Sequence, residues 1–242
     1  MTNMTAENVV MLHGFSGTHR AWDGVVARMS PERYRPLALD LPGHGELAAA
    51  ERPFSFERSV ASVLDRSPGR FALVGYSMGG RVALHVALEA PERVERLLLV
   101  GANPGIEDAH ERALRRESDS RLAEELEAAP FEDFVERWRN QPLFAGEPAE
   151  AGRLAREDQL RNQPDALAAV LRGMGTGEMS PLWSRLGELE MDATVLVGER
   201  DTKFQALGRR MVGLIPNAKL RVVAGGHGLP LENPQAIVDA LS

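Results

Sequence analysis

The most informative part of the chain is Phe71-Ala72-Leu73-Val74-Gly75-Tyr76-Ser77-Met78-Gly79-Gly80, because it combines three structural signals in ten residues. An apolar run typical of a buried strand leads into a Gly-x-Ser-x-Gly turn, and apolar residues at helical spacing follow over residues 81–88. A serine in such a turn has a strained backbone, and glycines beside it let neighbouring backbone pass close by. Its hydroxyl then lies above a helix N-terminus, whose amide dipoles favour negative charge. The stretch predicts a strand–turn–helix unit that presents Ser77 as a reactive group.

Length and composition narrow the class of protein. The 242 residues are 43% hydrophobic and carry a net charge of −7. A chain of this size is most simply one α/β domain, and its negative charge offers no attraction for nucleic acid or an anionic membrane surface. The chain has no cysteine, which excludes disulfides and thiolate metal sites. Residues 1–8 are polar, and the apolar run 9–12 is too brief for a signal peptide or a membrane span, so we predict a cytoplasmic protein without membrane insertion.

Short apolar runs alternate with amphipathic stretches along most of the chain. Such alternation predicts an α/β fold with a mostly parallel sheet flanked by helices, in which strands are apolar throughout because both faces are covered. The predicted strands are residues 8–12, 35–39, 71–76, 96–101, 193–198 and 219–224. The predicted helices among them are residues 22–29, 56–64, 81–89, 204–214 and 235–241.

One long interval interrupts this alternation. Residues 104–189 contain no strand pattern, and their charged helical periodicity is clearest at residues 110–127, 131–138, 149–161 and 165–174. We predict a helical cap inserted after the fourth strand, with residues 1–103 and 190–242 forming the core. Ligands bind at the carboxyl edge of an open α/β sheet, so a cap over that edge would shape the pocket and exclude water.

Two loops at this predicted edge bear on the chemistry. The first strand ends in His13-Gly14-Phe15-Ser16-Gly17. A turn of this kind can aim the Phe15 amide at a developing oxyanion, and the Met78 amide is its expected partner because Met78 follows the serine. We interpret His13 as a residue that orients the loop. The run Asp40-Leu41-Pro42-Gly43-His44-Gly45 after the second strand is interpreted as a structural turn.

The last two strands lead into an acid and a histidine. The fifth is followed by Glu199-Arg200-Asp201 and the sixth by Gly225-Gly226-His227-Gly228. The chain order Ser77, Asp201, His227 is the nucleophile–acid–base order of the α/β-hydrolase fold, in which the carboxylate orients the imidazole and the imidazole handles the serine proton. Two alternatives stay open: Asp201 can instead cap the next helix, and Glu199 can serve as the acid. No spacing of His, Asp or Glu requires a metal ion, and we expect none.

Further segments make a family resemblance specific. Those shared by many hydrolases are the serine turn, the run 40–45 and Glu232-Asn233-Pro234. More discriminating are Arg81, the run 115–119, and Trp138 with Gln141-Pro142-Leu143-Phe144. Over nearly its whole length the chain resembles the 2-succinyl-6-hydroxy-2,4-cyclohexadiene-1-carboxylate (SHCHC) synthases, α/β-hydrolase-fold enzymes of menaquinone biosynthesis.

The resemblance implies a reaction, a substrate and a set of site residues. SHCHC synthases eliminate pyruvate from 2-succinyl-5-enolpyruvyl-6-hydroxy-3-cyclohexene-1-carboxylate, a small polycarboxylate. We expect no cofactor and a monomer. The residues implied are a catalytic triad of Ser77, Asp201 and His227, an oxyanion hole at Phe15 and Met78, and substrate contacts from Tyr76, Arg81, Arg115 and Trp138.

The position of Arg81 supports a binding role independently of the resemblance. It lies one helical turn after Ser77 on a helix of small and apolar residues. A guanidinium there is costly to desolvate unless it meets an anion, and its planar fork fits a carboxylate. Alternatives stay open: Arg81 can pair with a structural acid, Arg116 can take the place of Arg115, and Trp138 can pack in the core with its helical neighbour Phe134.

Two other functions are compatible with the same residues. Ser77 can act as a true nucleophile in a serine carboxylesterase or carbon–carbon bond hydrolase, through an acyl-enzyme. A ligand receptor on this fold is the third interpretation, although a pure binder does not need an intact set of serine, acid and histidine. We predict the pyruvate-eliminating lyase, with the hydrolase as the alternative.

Overall fold

Six parallel strands form one sheet in the computed structural model, which describes residues 6–242. Most of the polar stretch 1–8 therefore lies outside the described residues. The strands lie side by side in the order β2-β1-β3-β4-β5-β6. They are β1 (Glu7–Leu12), β2 (Tyr34–Leu39), β3 (Phe71–Tyr76), β4 (Val94–Val100), β5 (Asp192–Gly198) and β6 (Ala218–Val223). The predicted parallel α/β sheet is confirmed, because every predicted strand is present.

Helices cover both faces of this sheet. They are α1 (Asp23–Val26), α2 (Phe56–Arg66), α3 (Met78–Glu89), α4 (Ala109–Ala128), α5 (Phe131–Arg139), α6 (Ala149–Gln159), α7 (Pro164–Met174), α8 (Thr202–Val212), α9 (Leu229–Glu232) and α10 (Pro234–Ala240). The predicted helix over residues 22–29 is shorter than expected, because a 3₁₀ turn (His19–Trp22) precedes α1. Among the helices of residues 6–242, not one combines the length and apolarity that a bilayer crossing requires.

The strands are apolar at successive positions because alternate side chains enter two different cores. In β1, Val10 and Leu12 pack on the face covered by α2, α3 and α8, whereas Val9 and Met11 pack on the face covered by α1 and α10. All four side chains are fully buried. Burial of an aliphatic side chain contributes roughly 1.5–3 kcal/mol, so a two-faced sheet needs the continuous apolar runs that the sequence shows.

Helices α4 to α7 all lie between β4 and β5, within residues 104–189, which we call the β4–β5 insertion. Helices α4 and α7 pack together, and with α5 they form a small core of Ala123, Leu126, Phe134, Val135, Leu167, Ala168 and Leu171. Val170 and Met174 of α7 also reach the main core beside the sheet. The insertion is therefore packed on the sheet domain and has an apolar centre of its own.

The turn between β3 and α3 depends on close backbone packing. Ser77 has φ 51° and ψ −110°, a conformation that non-glycine residues rarely adopt. A Cβ added at Gly75 would lie 2.5 Å from Gly79 O and 2.7 Å from Ala83 Cβ. The start of α3 therefore lies directly against the end of β3, as the Gly-x-Ser-x-Gly pattern predicts.

Replacing Gly75 with alanine should lower the free energy of unfolding by about 3 kcal/mol, because the added methyl overlaps backbone that cannot move aside. Urea unfolding followed by circular dichroism measures this. Gly69→Ala is the matched control, since no atom lies within 4 Å of a Cβ added there. Its effect should stay within about 1 kcal/mol. Equal stabilities for the two variants would contradict the packing argument.

Candidate active site

Ser77 is held at the carboxyl edge of the sheet by its neighbours. Its backbone N–H donates to Val100 O at the end of β4, over 2.9 Å. Residue 78 begins α3, so the serine precedes a helix N-terminus. The helix dipole there favours negative charge beside the hydroxyl.

Loops after β5 and β6 bring an acid and a histidine to this serine. His227 Nε2 lies 3.1 Å from Ser77 Oγ, and His227 Nδ1 lies 2.7 Å from Asp201 Oδ2. Asp201 and His227 are both buried. An imidazole between a hydroxyl and a carboxylate can take the serine proton, while the carboxylate stabilises the imidazolium that forms. The three side chains therefore have the contacts that a Ser-His-Asp triad requires.

Asp201 makes both of the contacts that the sequence left open, one to the next helix and one to the histidine. Its Oδ1 accepts a hydrogen bond from Phe204 N, which caps α8, while its Oδ2 faces His227. The rival acid Glu199 is exposed and makes no bond to the histidine. The imidazole is further fixed by the rings of Phe204 and Tyr76, with centroids 4.6 and 5.4 Å away.

The amides of Phe15 and Met78 are free to donate. Neither N–H has an acceptor among residues 6–242, which suits two donors that wait for an oxyanion. His13 is fully buried and stabilises this loop: its Nδ1 bonds to Gly14 O over 2.8 Å, and its Nε2 accepts from Leu41 N over 3.0 Å. Burial lowers the pKa of His13, so a neutral ring fits both contacts. These two contacts are consistent with the expected role of His13, which is to orient the loop.

The turn after β2 is also held by a buried, hydrogen-bonded side chain, that of Asp40. Asp40 is buried and accepts hydrogen bonds from His19 N and Glu46 N. These bonds, together with the side chain of His19, hold the pKa of Asp40 below its ordinary value despite burial.

A cavity of about 890 Å³ opens between the active-site loops and the β4–β5 insertion. The predicted residues that line it are Phe15, Ser77, Met78, Arg81, Arg115, Trp138, Asp201 and His227.

Tyr76 lies apart from this large cavity. It lines a smaller space of about 50 Å³ behind the histidine, together with Arg139, Phe144 and Glu147. Burial raises the pKa of the Tyr76 phenol above its ordinary value, so the hydroxyl is neutral and can donate a hydrogen bond. A direct substrate contact from Tyr76 stays a prediction.

Arg81 is buried on the wall of the cavity, and the only hydrogen bond of its guanidinium within the described chain goes to a backbone carbonyl. It is 7% exposed, and its Nη1 donates to Met174 O over 3.1 Å. No carboxylate among residues 6–242 forms an ion pair with it, so the structural ion pair considered above is absent from the described part of the chain. Burial, with repulsion from Arg115, lowers the pKa of Arg81 to about 10 against an opposing attraction from Asp119, whose carboxylate is paired with Arg115. A buried guanidinium without a carboxylate partner carries an uncompensated desolvation cost, which an anion would offset.

Arg115 and Trp138 also face the cavity, each with a second contact. Arg115 Nε donates to Asp119 Oδ1 over 2.8 Å. Its neighbour Arg116 instead pairs with Glu178 over 2.8 Å and does not line the cavity. Trp138 stacks on Phe134 and touches Phe15 edge-on, so core packing and cavity lining coexist in one side chain.

Three cations that were not among the predicted site residues also face the cavity. Arg200, Lys203 and Arg210 line the same cavity. Arg200 pairs with Glu232 and Arg210 with Glu107, whereas Lys203 makes no ion pair with a carboxylate of residues 6–242. The sequence signal for such a cation was closeness to the predicted acid, because Lys203 lies two residues after Asp201 in the run 198–204. Within the described chain no cluster of three or more His, Asp or Glu side chains is arranged to hold a metal ion.

The fold and this site define a class of protein. The model of the alpha/beta hydrolase family matches residues 9–240. The chain belongs to the alpha/beta hydrolase family, which confirms the predicted fold.

Full-length relatives narrow the comparison. A protein from Salmonella schwarzengrund (strain CVM19633) named 2-succinyl-6-hydroxy-2,4-cyclohexadiene-1-carboxylate synthase is 34% identical over 245 residues, 98% of this chain and 93% of the relative. A Bacillus subtilis (strain 168) protein, whose name gives that activity provisionally, is 35% identical over 240 residues, 95% of this chain and 87% of the relative. The solved structure of MenH from S. aureus has a TM-score of 0.91 and 32% identity, covering 99% of this chain and 93% of that one. The resemblance to SHCHC synthases is confirmed.

Two substitutions of Asp201 should separate its capping role from its role beside His227. Asn keeps a cap acceptor for Phe204 N, so Asp201→Asn should unfold at nearly the wild-type urea concentration yet react with a fluorophosphonate about a thousandfold more slowly. Asp201→Ala should lose similar reactivity and a further 1 kcal/mol or so of stability. Intact-mass labelling of Ser77 and urea unfolding measure the two effects. Wild-type labelling of Asp201→Asn would refute the role of Asp201 beside the histidine.

Proposed function

We propose that the protein is a carbon–oxygen lyase that eliminates pyruvate from 2-succinyl-5-enolpyruvyl-6-hydroxy-3-cyclohexene-1-carboxylate to give SHCHC. The observation that carries this proposal is Arg81, a buried guanidinium that lacks an acid partner in the described chain and lines the cavity at Ser77. The substrate is a small polycarboxylate, which suits an unpaired cation. The names of relatives at 34–35% identity give SHCHC as the product.

In the proposed mechanism Ser77 acts as a base. Asp201 orients His227, and His227 draws the proton from the serine hydroxyl. The serine oxygen then takes the proton from the ring carbon next to the succinyl ketone. The electron pair of that C–H bond moves through the ring, and the C–O bond to the enolpyruvyl group breaks. Pyruvate leaves as its enolate and takes up the proton that His227 received from the serine, and the ring, which began with one double bond, ends with two conjugated ones.

Charge appears on the ketone oxygen during this step. The amides of Phe15 and Met78 lack acceptors among the described residues, so they can donate to that oxygen. Removal of one such donor from an oxyanion hole typically costs about 100- to 1000-fold in kcat. The oxyanion hole therefore supplies stabilisation where the electrons gather, and the triad supplies the proton transfer.

The remaining predicted residues would hold the substrate. Arg81 and Arg115 would bind its carboxylates, and Trp138 would cover the ring, so that the reacting C–H bond is held against Ser77. We propose that the β4–β5 insertion acts as a cap, with residues 1–103 and 190–242 as the core. The support is that one wall of the cavity consists of insertion residues such as Arg115, Leu143 and Met174.

A serine carboxylesterase or carbon–carbon bond hydrolase is the second candidate. The contacts among Ser77, His227 and Asp201 serve an acyl-enzyme equally well. The lyase is favoured because Arg81 has no evident task in the cleavage of a neutral ester. A cytoplasmic location and a monomeric state stay predictions.

Ser77→Ala should abolish pyruvate release, because the proton acceptor is removed, while substrate affinity stays within about threefold of wild type. A coupled lactate dehydrogenase assay measures pyruvate, and calorimetry measures binding. The substrate is generated by the preceding pathway enzyme. A wild-type protein that cleaves simple esters efficiently, accumulates a covalent serine adduct and releases no pyruvate would establish the hydrolase instead.

Arg81→Met should raise KM about 10- to 100-fold, since a charge-assisted hydrogen bond to a carboxylate is lost. Arg209→Met is the matched control: this exposed arginine bonds to Gln205 and does not line the cavity. Its KM should not change. An unchanged KM in Arg81→Met would remove the main support for a polycarboxylate substrate.

A further inference from the structure

The loop that carries Phe15 contains a second strained residue. Ser16 has φ 60° and is fully buried. It lies inside a tight turn closed by Gly17 N donating to Gly14 O over 3.1 Å. A non-glycine residue keeps such a conformation only where surrounding contacts enforce it. The direction of the Phe15 N–H depends on this turn, so the contacts of Ser16 bear on the oxyanion hole.

Each polar group of Ser16 has a partner from outside the loop. Its backbone N–H donates to His44 Nε2 over 3.3 Å. Its carbonyl accepts from Asn162 Nδ2 over 2.7 Å, and its hydroxyl accepts from Gln159 Nε2 over 2.9 Å. Two of the three partners therefore come from the β4–β5 insertion, more than 140 residues further along the chain.

The segment 158–162 of the insertion also bonds to Thr18, two residues after Ser16, and to Gly45 in the turn after β2. Asp158 accepts from Thr18 N over 2.8 Å and from Thr18 Oγ1 over 2.5 Å. Asn162 Oδ1 accepts from Gly45 N over 3.0 Å, in the turn after β2. Asp158, Gln159 and Asn162 are all buried. Every polar side-chain atom of Asp158 and Asn162 is hydrogen-bonded, whereas Gln159 is bonded through Nε2 and its Oε1 lacks a donor among residues 6–242. Buried polar side chains held by specific bonds define a single geometry more strictly than apolar packing does.

We propose that Gln159 and Asn162 are positioning residues for the reaction: they hold Ser16 in its left-handed conformation and thereby aim the Phe15 amide at the oxyanion. This inference rests on the oxyanion hole of the proposed function. Neither side chain lines the large cavity at Ser77, although Gln159 borders the small space beside Tyr76. Their effect passes through Ser16, and it should be felt in the transition state, where charge on the oxygen is greatest.

The kinetic consequence differs from that of a substrate contact. A misdirected donor weakens stabilisation of the oxyanion but leaves ground-state binding intact. Asn162→Ala and Gln159→Ala should therefore each lower kcat for pyruvate release about tenfold, with KM within about twofold of wild type. Fluorophosphonate labelling of Ser77 should slow by a similar factor, because the phosphoryl oxygen also needs the oxyanion hole.

Two further variants sharpen the test. Asn162→Asp keeps an acceptor for Gly45 N but removes the donor to Ser16 O, so its kcat should fall at least as far as in Asn162→Ala. Gln163→Ala is the matched control, because this neighbouring side chain is exposed and makes no capping bond. Its kcat, KM and labelling rate should equal those of wild type. Thermal unfolding of each variant shows that the folded enzyme is being compared.

Several outcomes would overturn the inference. One is a lower melting temperature for Asn162→Ala and Gln159→Ala with unchanged kcat and labelling rate, which means a structural role alone. Another is a raised KM at constant kcat, which means a binding role. If the wild-type protein labels at Ser77 but releases no pyruvate, the lyase proposal fails, and the labelling rates of the variants still decide the role of Gln159 and Asn162.

Discussion

Ser77 has a positive φ of 51° in a turn where the end of β3 packs closely against the start of α3. Gly75 lets the end of β3 lie against the start of α3, and Gly79 lets the same helix lie against Leu12 and His13 at the end of β1. Ser77 N is bound to Val100 O. This constraint places the hydroxyl over a helix N-terminus and within 3.1 Å of His227 Nε2. The positions of Met78, a donor in the proposed oxyanion hole, and of Arg81 follow from it, since both lie on the helix that starts at the turn. Strain at a reactive residue is stable only when the surrounding structure enforces it.

The cations that line the cavity differ in whether a carboxylate neutralises them. Arg115, Arg200 and Arg210 each have a carboxylate partner, whereas Arg81 is buried with a carbonyl oxygen as its described acceptor. The desolvation cost of an unpaired guanidinium is several kcal/mol. An anion that binds beside such a residue is stabilised, because it supplies the missing partner and offsets the desolvation cost of the guanidinium. Exposed pairs elsewhere on the insertion contribute about 0–1 kcal/mol each and carry no comparable consequence.

The β4–β5 insertion is joined to the sheet domain in two physically different ways. Apolar residues of α7 enter the main core, which fixes the insertion without directional preference. The segment 158–162 adds hydrogen bonds to Ser16, Thr18 and Gly45, which fix particular atoms of the active-site loops. The first attachment stabilises the fold. In our proposal, the second makes the geometry of the oxyanion hole depend on residues far from it in sequence.

Much of this architecture was readable from local patterns. Apolar runs of strand length predicted all six strands, and the turn at Ser77 and the order Ser77, Asp201, His227 predicted the fold and the candidate site, because these signals depend on near neighbours along the chain. Tertiary structure alone decided other questions: that Arg81 lacks an acid partner in the described chain, that Arg115 and not Arg116 faces the cavity, and that Asp201 both caps α8 and contacts the histidine. It also decided that Gln159 and Asn162 bind Ser16. Such contacts join residues far apart in sequence, and a hydrogen bond across that separation leaves no periodic trace in the sequence.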